Sequence, residues 1–337
     1  MDTPLKRNLG ILIALIVIAG AAYVYWSGQQ PVKITYPIAL GASGEITMKV
    51  MKFYGIDRKY GLDVEVLALN PTELERKEFN GEITGLLIMS PLSAARLTLE
   101  GRPMKILAPV TYMPYSLAAS TNSSIGTITD LKGKKVGILP KVVDAHKSIA
   151  MIFRSAGIDP DQDILSAYGS IPEMIALLAK GDVDAALVAY PGAAGLFVSG
   201  RYASIAKLEE LWEKNENGLP HPFVVHAVFL DWYDKPENRK TARRFFDAYF
   251  ETIQLMKARP EVITEDKNHL IKEYLLQHNL ASESAMQLIR NELARFLPSD
   301  WSERDVEAVN RLFDRAEALG YLPLTVPRDI IVSPDEL

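Results

Sequence analysis

Cysteine is missing from all 337 residues. That excludes a disulfide framework, a thiolate metal site, a cysteine nucleophile and a lipid-modified N-terminal cysteine. Histidine is scarce, with five scattered positions, too dispersed for a metal cluster. His221 and His226 are five apart in a strand-like stretch, on opposite faces. There is no long basic run, and 37 Lys plus Arg against 42 Asp plus Glu leave a net charge of −5, so the electrostatic footprint of a nucleic-acid partner is lacking. The chain has no P-loop, no HExxH, no GxSxG elbow and no GxGxxG after a strand. Asp159, Asp161 and Asp163 alternate like the opening of a calcium loop, yet the glycine and distal glutamate such a loop requires are missing. They read as a solvated turn. No metal and no cofactor is expected.

What is present is a composition able to bury one or two sizeable cores, with 48% hydrophobic and 23% charged residues, and a length that suggests about two domains. One segment departs from this profile. Lys6 and Arg7 precede an uncharged apolar run from Leu9 to Trp26, roughly 27 Å long as a helix and close to the ~30 Å of a bilayer core. It reads either as a signal peptide cleaved near Ala19-Gly20-Ala21 or as an uncleaved anchor with Tyr23, Tyr25 and Trp26 at the outer interface. Both readings export residues 30–337, because the positive residues stay inside.

From Val32 the chain alternates short apolar runs with amphipathic stretches. Strands are expected at 32–40, 62–68, 83–89 and 105–112, with helices at 46–54, 73–79 and 93–100 between them. A second unit follows, with strands at 116–120, 135–138, 164–168 and 185–188. Its helices are expected at 145–156, 171–180 and 192–199, Gly157 ending the first as a left-handed cap. One more strand, 223–230, precedes an almost purely helical region over 237–258, 262–278, 281–296 and 302–319. This alternation predicts an α/β layer structure with mostly parallel pairing. Two units in series, or a chain that crosses twice between lobes, both satisfy the pattern.

Open parallel sheets bind ligands beyond the carboxyl ends of their strands. Here those ends carry Gly41-Ala42-Ser43-Gly44, Met89-Ser90-Pro91, Tyr112-Met113-Pro114-Tyr115, Lys141 to His146 and Ala189-Tyr190-Pro191. Ser43 and Gly44 are small enough for a ligand to approach backbone amides at a helix start, or simply form a tight turn. Asp144 either caps the following helix or faces a ligand. Lys141 suits an anionic solute and Tyr190, with Tyr115, a planar one. The candidate ligand-binding set is Ser43, Gly44, Ser90, Thr111, Lys141, Asp144, Tyr190 and His226.

Several segments resemble one family in order and spacing. They are Phe53-Tyr54-Gly55-Ile56, then Lys59-Tyr60-Gly61-Leu62-Asp63-Val64-Glu65-Val66, Asn80-Gly81-Glu82-Ile83 and Glu100-Gly101-Arg102-Pro103. Further along come Asp130-Leu131-Lys132-Gly133-Lys134-Lys135-Val136-Gly137, Ala156-Gly157-Ile158-Asp159-Pro160 and Leu178-Ala179-Lys180-Gly181-Asp182-Val183-Asp184-Ala185-Ala186. Together they are similar to the nitrate/sulfonate/taurine and thiamine-pyrimidine-type solute-binding proteins of ABC importers. The resemblance implies a type II periplasmic-binding-protein fold, two lobes with mostly parallel sheets joined by two hinge crossings and a helical C-terminal region, to which the Leu9–Trp26 run would add an N-terminal membrane helix. Lobe 1 would be 31–112 plus 223–337, lobe 2 116–219, with hinges near 112–115 and 219–223 and residues 1–30 serving as leader or anchor with a linker. It implies a non-enzymatic protein of the periplasm, or of the outer face of the cytoplasmic membrane, that closes on a small solute and hands it to an ABC permease. A ligand-sensing or scaffolding ectodomain and an enzyme of pyrimidine biosynthesis are the alternatives on this fold. The chain departs from the family pattern at Pro140-Lys141-Val142-Val143-Asp144 and at Ala189-Tyr190-Pro191, positions where the family touches its ligand.

Overall fold

The computed structural model describes residues 30–40 and 42–337. The apolar run Leu9–Trp26 lies outside the described residues, and among those described no helix is long and apolar enough to cross a membrane. The first lobe begins with β1 (Val32–Ala39), α1 (Ser43–Tyr54), the short α2 (Ile56–Lys59) and β2 (Leu62–Leu69). It continues with α3 (Pro71–Phe79), β3 (Leu87–Met89), α4 (Pro91–Leu99) and β4 (Met104–Tyr112). The second lobe follows with β5 (Tyr115–Ser120), β6 (Lys135–Ile138), α5 (Asp144–Ser155), β7 (Leu165–Tyr168) and α6 (Ile171–Lys180). It ends with β8 (Ala185–Ala189), α7 (Ala193–Phe197), β9 (Tyr202–Lys207) and α8 (Leu208–Asn215). The chain then adds β10 (Pro222–Phe229), α9 (Leu230–Tyr233), α10 (Pro236–Ala258), α11 (His269–Gln277), α12 (Glu283–Phe296) and α13 (Glu303–Ala318).

Local chemistry sets many of these boundaries. The Asn70 side chain accepts the Thr72 N–H to start α3, and Ser90 does the same for α4 through Leu92. Ser170 and Glu173 form a reciprocal capping box at the head of α6, satisfying donors that a helix start otherwise leaves open. Gly157, at φ 82°, supplies the left-handed residue after α5, where a side chain would be strained.

Three sheets result: β1–β2, β3–β10–β4 and β7–β6–β8–β5–β9. The strand formed after the second lobe, β10, therefore sits at the centre of a first-lobe sheet. The expectation of mostly parallel pairing is corrected here. β1–β2, β6–β7 and β6–β8 are parallel, whereas β10 runs antiparallel to β3 and β4, and β5 to β8 and β9. The reason is topological. β5 and β10 enter their sheets directly from the other lobe rather than through a helical crossover, so they arrive in the opposite sense. Four elements, α2, β9, α8 and α9, have no counterpart in the sequence reading, and the expected helix 262–278 is divided into a 3-10 turn (Pro260–Thr264) and α11.

The first-lobe core is aromatic. Tyr36, Phe245 and Tyr249 are fully buried around His226, and α10 packs on α1 and α2. The C-terminal helices thus cover the first lobe, and α13 reaches further, touching α4, α5 and β10.

Candidate functional site

The helices that start at the carboxyl ends of β3 and β6 meet across the two lobes. Asp144, the first residue of α5, points its carboxylate at α4 of the first lobe. Its Oδ2 accepts from Ser93 Oγ at 2.6 Å and from Arg96 Nη2 at 3.1 Å, and its Oδ1 accepts from Lys147 Nζ at 2.7 Å. Asp144 is only 4% exposed. Burial alone would raise its pKa, but Lys147, Ser93 and Arg96 together hold it below the usual carboxylate range, since each favours the charged form. The Arg96 guanidinium also lies 4.6 Å over the Phe79 ring, and its Nε is buried with no hydrogen-bond partner.

A second interlobe contact is apolar. Tyr190, at the end of β8 and in a cis bond to Pro191, stacks on Phe296 of α12 with ring centroids 6.3 Å apart and an interplanar angle of 26°. Burial pushes its phenol up to about 12. Behind the lobes, Glu216 is 3% exposed and accepts from Arg315 of α13 at 2.6 Å, with Arg311 3.6 Å away. Arg154 of α5 donates to the Tyr321 hydroxyl.

The remaining sequence candidates are distributed differently. Ser43 and Gly44 are buried at the head of α1; a Cβ on Gly44 would come within 3.0 Å of Ile38 Cδ1, so close packing on β1 already accounts for this glycine. Ser90 spends its hydroxyl on the α4 cap, 3.2 Å from Leu92 N. The Thr111 hydroxyl lies 3.0 Å from the carbonyls of both Tyr112 and Phe296. Lys141 is exposed and pairs with Asp161, which also pairs with Arg154; that network engages the aspartates of the calcium-loop-like turn. His226 is 0% exposed, shares a 2.9 Å hydrogen bond between Nε2 and the Tyr36 hydroxyl, and burial pushes its pKa down to about 3. The structure thus brings Asp144 into contact with the facing lobe and stacks Tyr190 across it, while Lys141 faces its own lobe's surface and His226 lies inside the first-lobe core. Ser93, Arg96, Lys147 and Phe296 were not among the sequence candidates. The one available signal was the i, i+3 spacing of Ser90, Ser93 and Arg96, which puts them on one side of α4.

Two cavities are present, the first bordering on Phe296. One of about 360 Å³ opens between α8 and α12–α13, with Tyr112, Lys207, Arg295 and Asp305 among its walls. A shallower groove of about 500 Å³ runs between α1 and β2. Neither is lined by any of the eight candidates. Among the described residues, no group of His, Asp and Glu is arranged to hold a metal ion.

Two sheet-containing lobes, a chain that passes between them twice and helices facing each other across the gap define a periplasmic-binding-protein-like α/β fold. Solved structures agree. The aliphatic sulphonate binding protein SsuA of Escherichia coli, a periplasmic protein, superposes with a TM-score of 0.65 at 15% identity, over 88% of this chain and 95% of its own. The alkanesulfonate-binding SsuA of Xanthomonas axonopodis pv. citri, bound to MOPS, gives 0.66 at 16% identity over 90% and 99%. DszB in complex with biphenyl-2-sulfinic acid gives 0.61 at 13% identity over 90% and 97%. The NMT1/THI5-like family model matches residues 58–263, more than half the chain. This chain belongs to the NMT1/THI5-like family. No curated protein sequence matches it.

Proposed function

We propose that this protein is the exported solute-binding component of an ABC importer. It captures a small organic anion of the sulfonate class between its lobes by hinge closure and delivers it to a membrane permease. The observation that carries this reading is the contact of Asp144 with Ser93 and Arg96, which joins the lobes at the strand ends where this sheet architecture receives ligands. The bound MOPS of the Xanthomonas SsuA and the sulfinate of DszB support the anion class. The lobes in this reading are 31–112 plus 223–337 and 116–219, pivoting near 112–115 and 219–223. In this reading Ser43, Gly44, Ser90, Asp144 and Tyr190 are the residues that meet the solute. The Leu9–Trp26 run exports the lobes to the periplasmic side, as a cleaved leader or as an anchor. We read the chain as a binding protein rather than an enzyme. It has no cysteine to act as a thiolate nucleophile, and its His221 and His226 are buried and held neutral.

The test is a thermal-shift screen on protein unfolded and refolded to strip carried-over ligand, against alkylsulfonates, nitrate, bicarbonate, carboxylates, pyrimidines and aromatic acids. A ligand at 100 times its Kd adds about 2.7 kcal/mol, several degrees in Tm. A shift confined to sulfonates is the expected result. A second reading, a sensing or scaffolding ectodomain, draws on the fact that Asp144 already engages Ser93 Oγ and Arg96 Nη2 from within the chain. It would be supported by silence across the whole panel from a folded protein.

A further inference from the structure

The donors that Asp144 engages are assembled from both lobes and are imperfectly used. Ser93 Oγ and Arg96 Nη2 converge on a single oxygen, Oδ2, at 2.6 and 3.1 Å. The other oxygen turns away to Lys147, three residues along the same helix. Arg96 Nε, buried beside them, has no acceptor at all. A buried donor without a partner is destabilising, so this corner is one acceptor short. A carboxylate reaching in from α5 has only two oxygens and divides them between the lobes. A sulfonate has three, enough to serve Ser93 Oγ, Arg96 Nη2 and Arg96 Nε at once.

We infer that Ser93 and Arg96 on α4 form the anion-recognition point of the cleft, that Asp144 occupies it as a built-in competitor, and that an organic sulfonate binds by displacing the Asp144 carboxylate. This deepens the proposed function and rests on it. At Arg96 one anion takes the place of another, so the guanidinium keeps a counter-charge throughout. The nearby acids are Glu100, 3.9 Å from Arg96 Nη1, and Glu75, whose carboxyl is raised by burial and by Asp144. The displaced Asp144 retains Lys147 on its own helix. Closure is therefore held by the protein's own carboxylate, and a ligand must outcompete it. Affinity is lowered by the fraction of molecules in which Asp144 fills the point.

The test measures butane-1-sulfonate and pentanoate binding by calorimetry to the full chain and its variants. Asp144→Ala removes the competitor and is expected to tighten sulfonate binding about tenfold or more, the gain set by how fully Asp144 occupied the point. Arg96→Ala, and to a lesser degree Ser93→Ala, weaken it by about tenfold or more, consistent with loss of a charge-assisted bond. Pentanoate, with one oxygen fewer, gains less from Asp144→Ala than the sulfonate does. Asp144→Asn, of the same shape, keeps the fold if the alanine variant does not and shows the same direction. If wild type binds sulfonate but neither Asp144 variant tightens it, or Arg96→Ala leaves it unchanged, the inference is overturned while solute capture stands. If no form binds either anion, both fall together.

Discussion

Glu209 accepts the backbone N–H of His221 at 3.1 Å through Oε1, while its Oε2 accepts that of Met113, also at 3.1 Å. Met113 lies between β4 and β5 and His221 just before β10, so one half-buried side chain at the start of α8 ties the two connections together. Burial raises this carboxyl to about 8, Glu213 adds to the rise, and the two N–H donors oppose it.

Glu209→Ala is expected to destabilise the protein by about 2–6 kcal/mol, because it strands the backbone donors of Met113 and His221, at roughly 1–3 kcal/mol each. The pH dependence follows from the sign of the shift. The unfolded carboxyl ionises near its ordinary 4.5 and the folded one near 8, so stability falls as pH rises between those values. Glu78, 2% exposed and also raised to about 8 by burial, contributes over the same window. Urea unfolding from pH 5 to 8.5 checks this. Glu209→Gln and Glu78→Gln should each flatten part of the slope, and an unchanged slope in both would refute the assignment.

The acid limb has the opposite sign. Burial pushes His221 and His226 down to about 3, so both must stay neutral in the fold while the unfolded chain protonates near 6.5. Stability is full above 6.5 and is lost as pH falls toward 3. His221 has no partner for either ring nitrogen and packs edge-on against Trp212 at 4.6 Å. His221→Phe should therefore be neutral or stabilising by about 1 kcal/mol at pH 7 and should shallow the acid limb. A loss of several kcal/mol would show that the imidazole has a polar role.

At the Glu216 site, burial is unequal. Glu216 is 3% exposed, whereas the Arg311 and Arg315 side chains are 38% and 48% exposed. Glu216→Gln leaves two cations that water still reaches, a cost near 1 kcal/mol. The double variant Arg311→Ala, Arg315→Ala leaves a buried carboxylate alone, with an expected cost of about 3–5 kcal/mol. Equal costs in chemical unfolding would contradict this asymmetry.

Gly44→Ala places a methyl 3.0 Å from Ile38 Cδ1 with the next atom of Ile38 at 3.9 Å. The expected cost is about 1 kcal/mol, in the range of modest overpacking. Ile38→Val deletes the offending atom and should restore most of it in a double-mutant cycle. An additive pair would mean the strain arises elsewhere.

The sequence carried the elements that bury a continuous apolar face. α6 at 171–180 and β6 at 135–138 stand where periodicity put them. β9 escaped because none of its residues is buried, its pattern being mostly half-exposed at a sheet edge, so no apolar run marks it. Ile83 and Leu86 are buried without pairing, which made the strand before α4 look four residues too long. At the site, Asp144 was legible as the residue after a strand end. Ser93 and Arg96 were not, because they become partners of Asp144 only through a contact 48 to 51 residues distant in sequence. Lys141 read as a free cation for want of the same information: its partner Asp161 lies one helix away.

The two lobes also differ in when their sheets can be finished. All five strands of the second-lobe sheet come from one stretch, β5 to β9, whereas β10 is the middle strand between β3 and β4. As the chain emerges from its N-terminus, the first lobe has laid down β3 and β4 by residue 112 but has nothing to join them until residue 229. The second lobe, completing its sheet by residue 207, becomes the scaffold on which a half-built first lobe waits. In synthesis order the five-stranded sheet can therefore close before the β3–β10–β4 sheet does. The first-lobe strands spend that interval with open edges, the state in which aggregation is favoured.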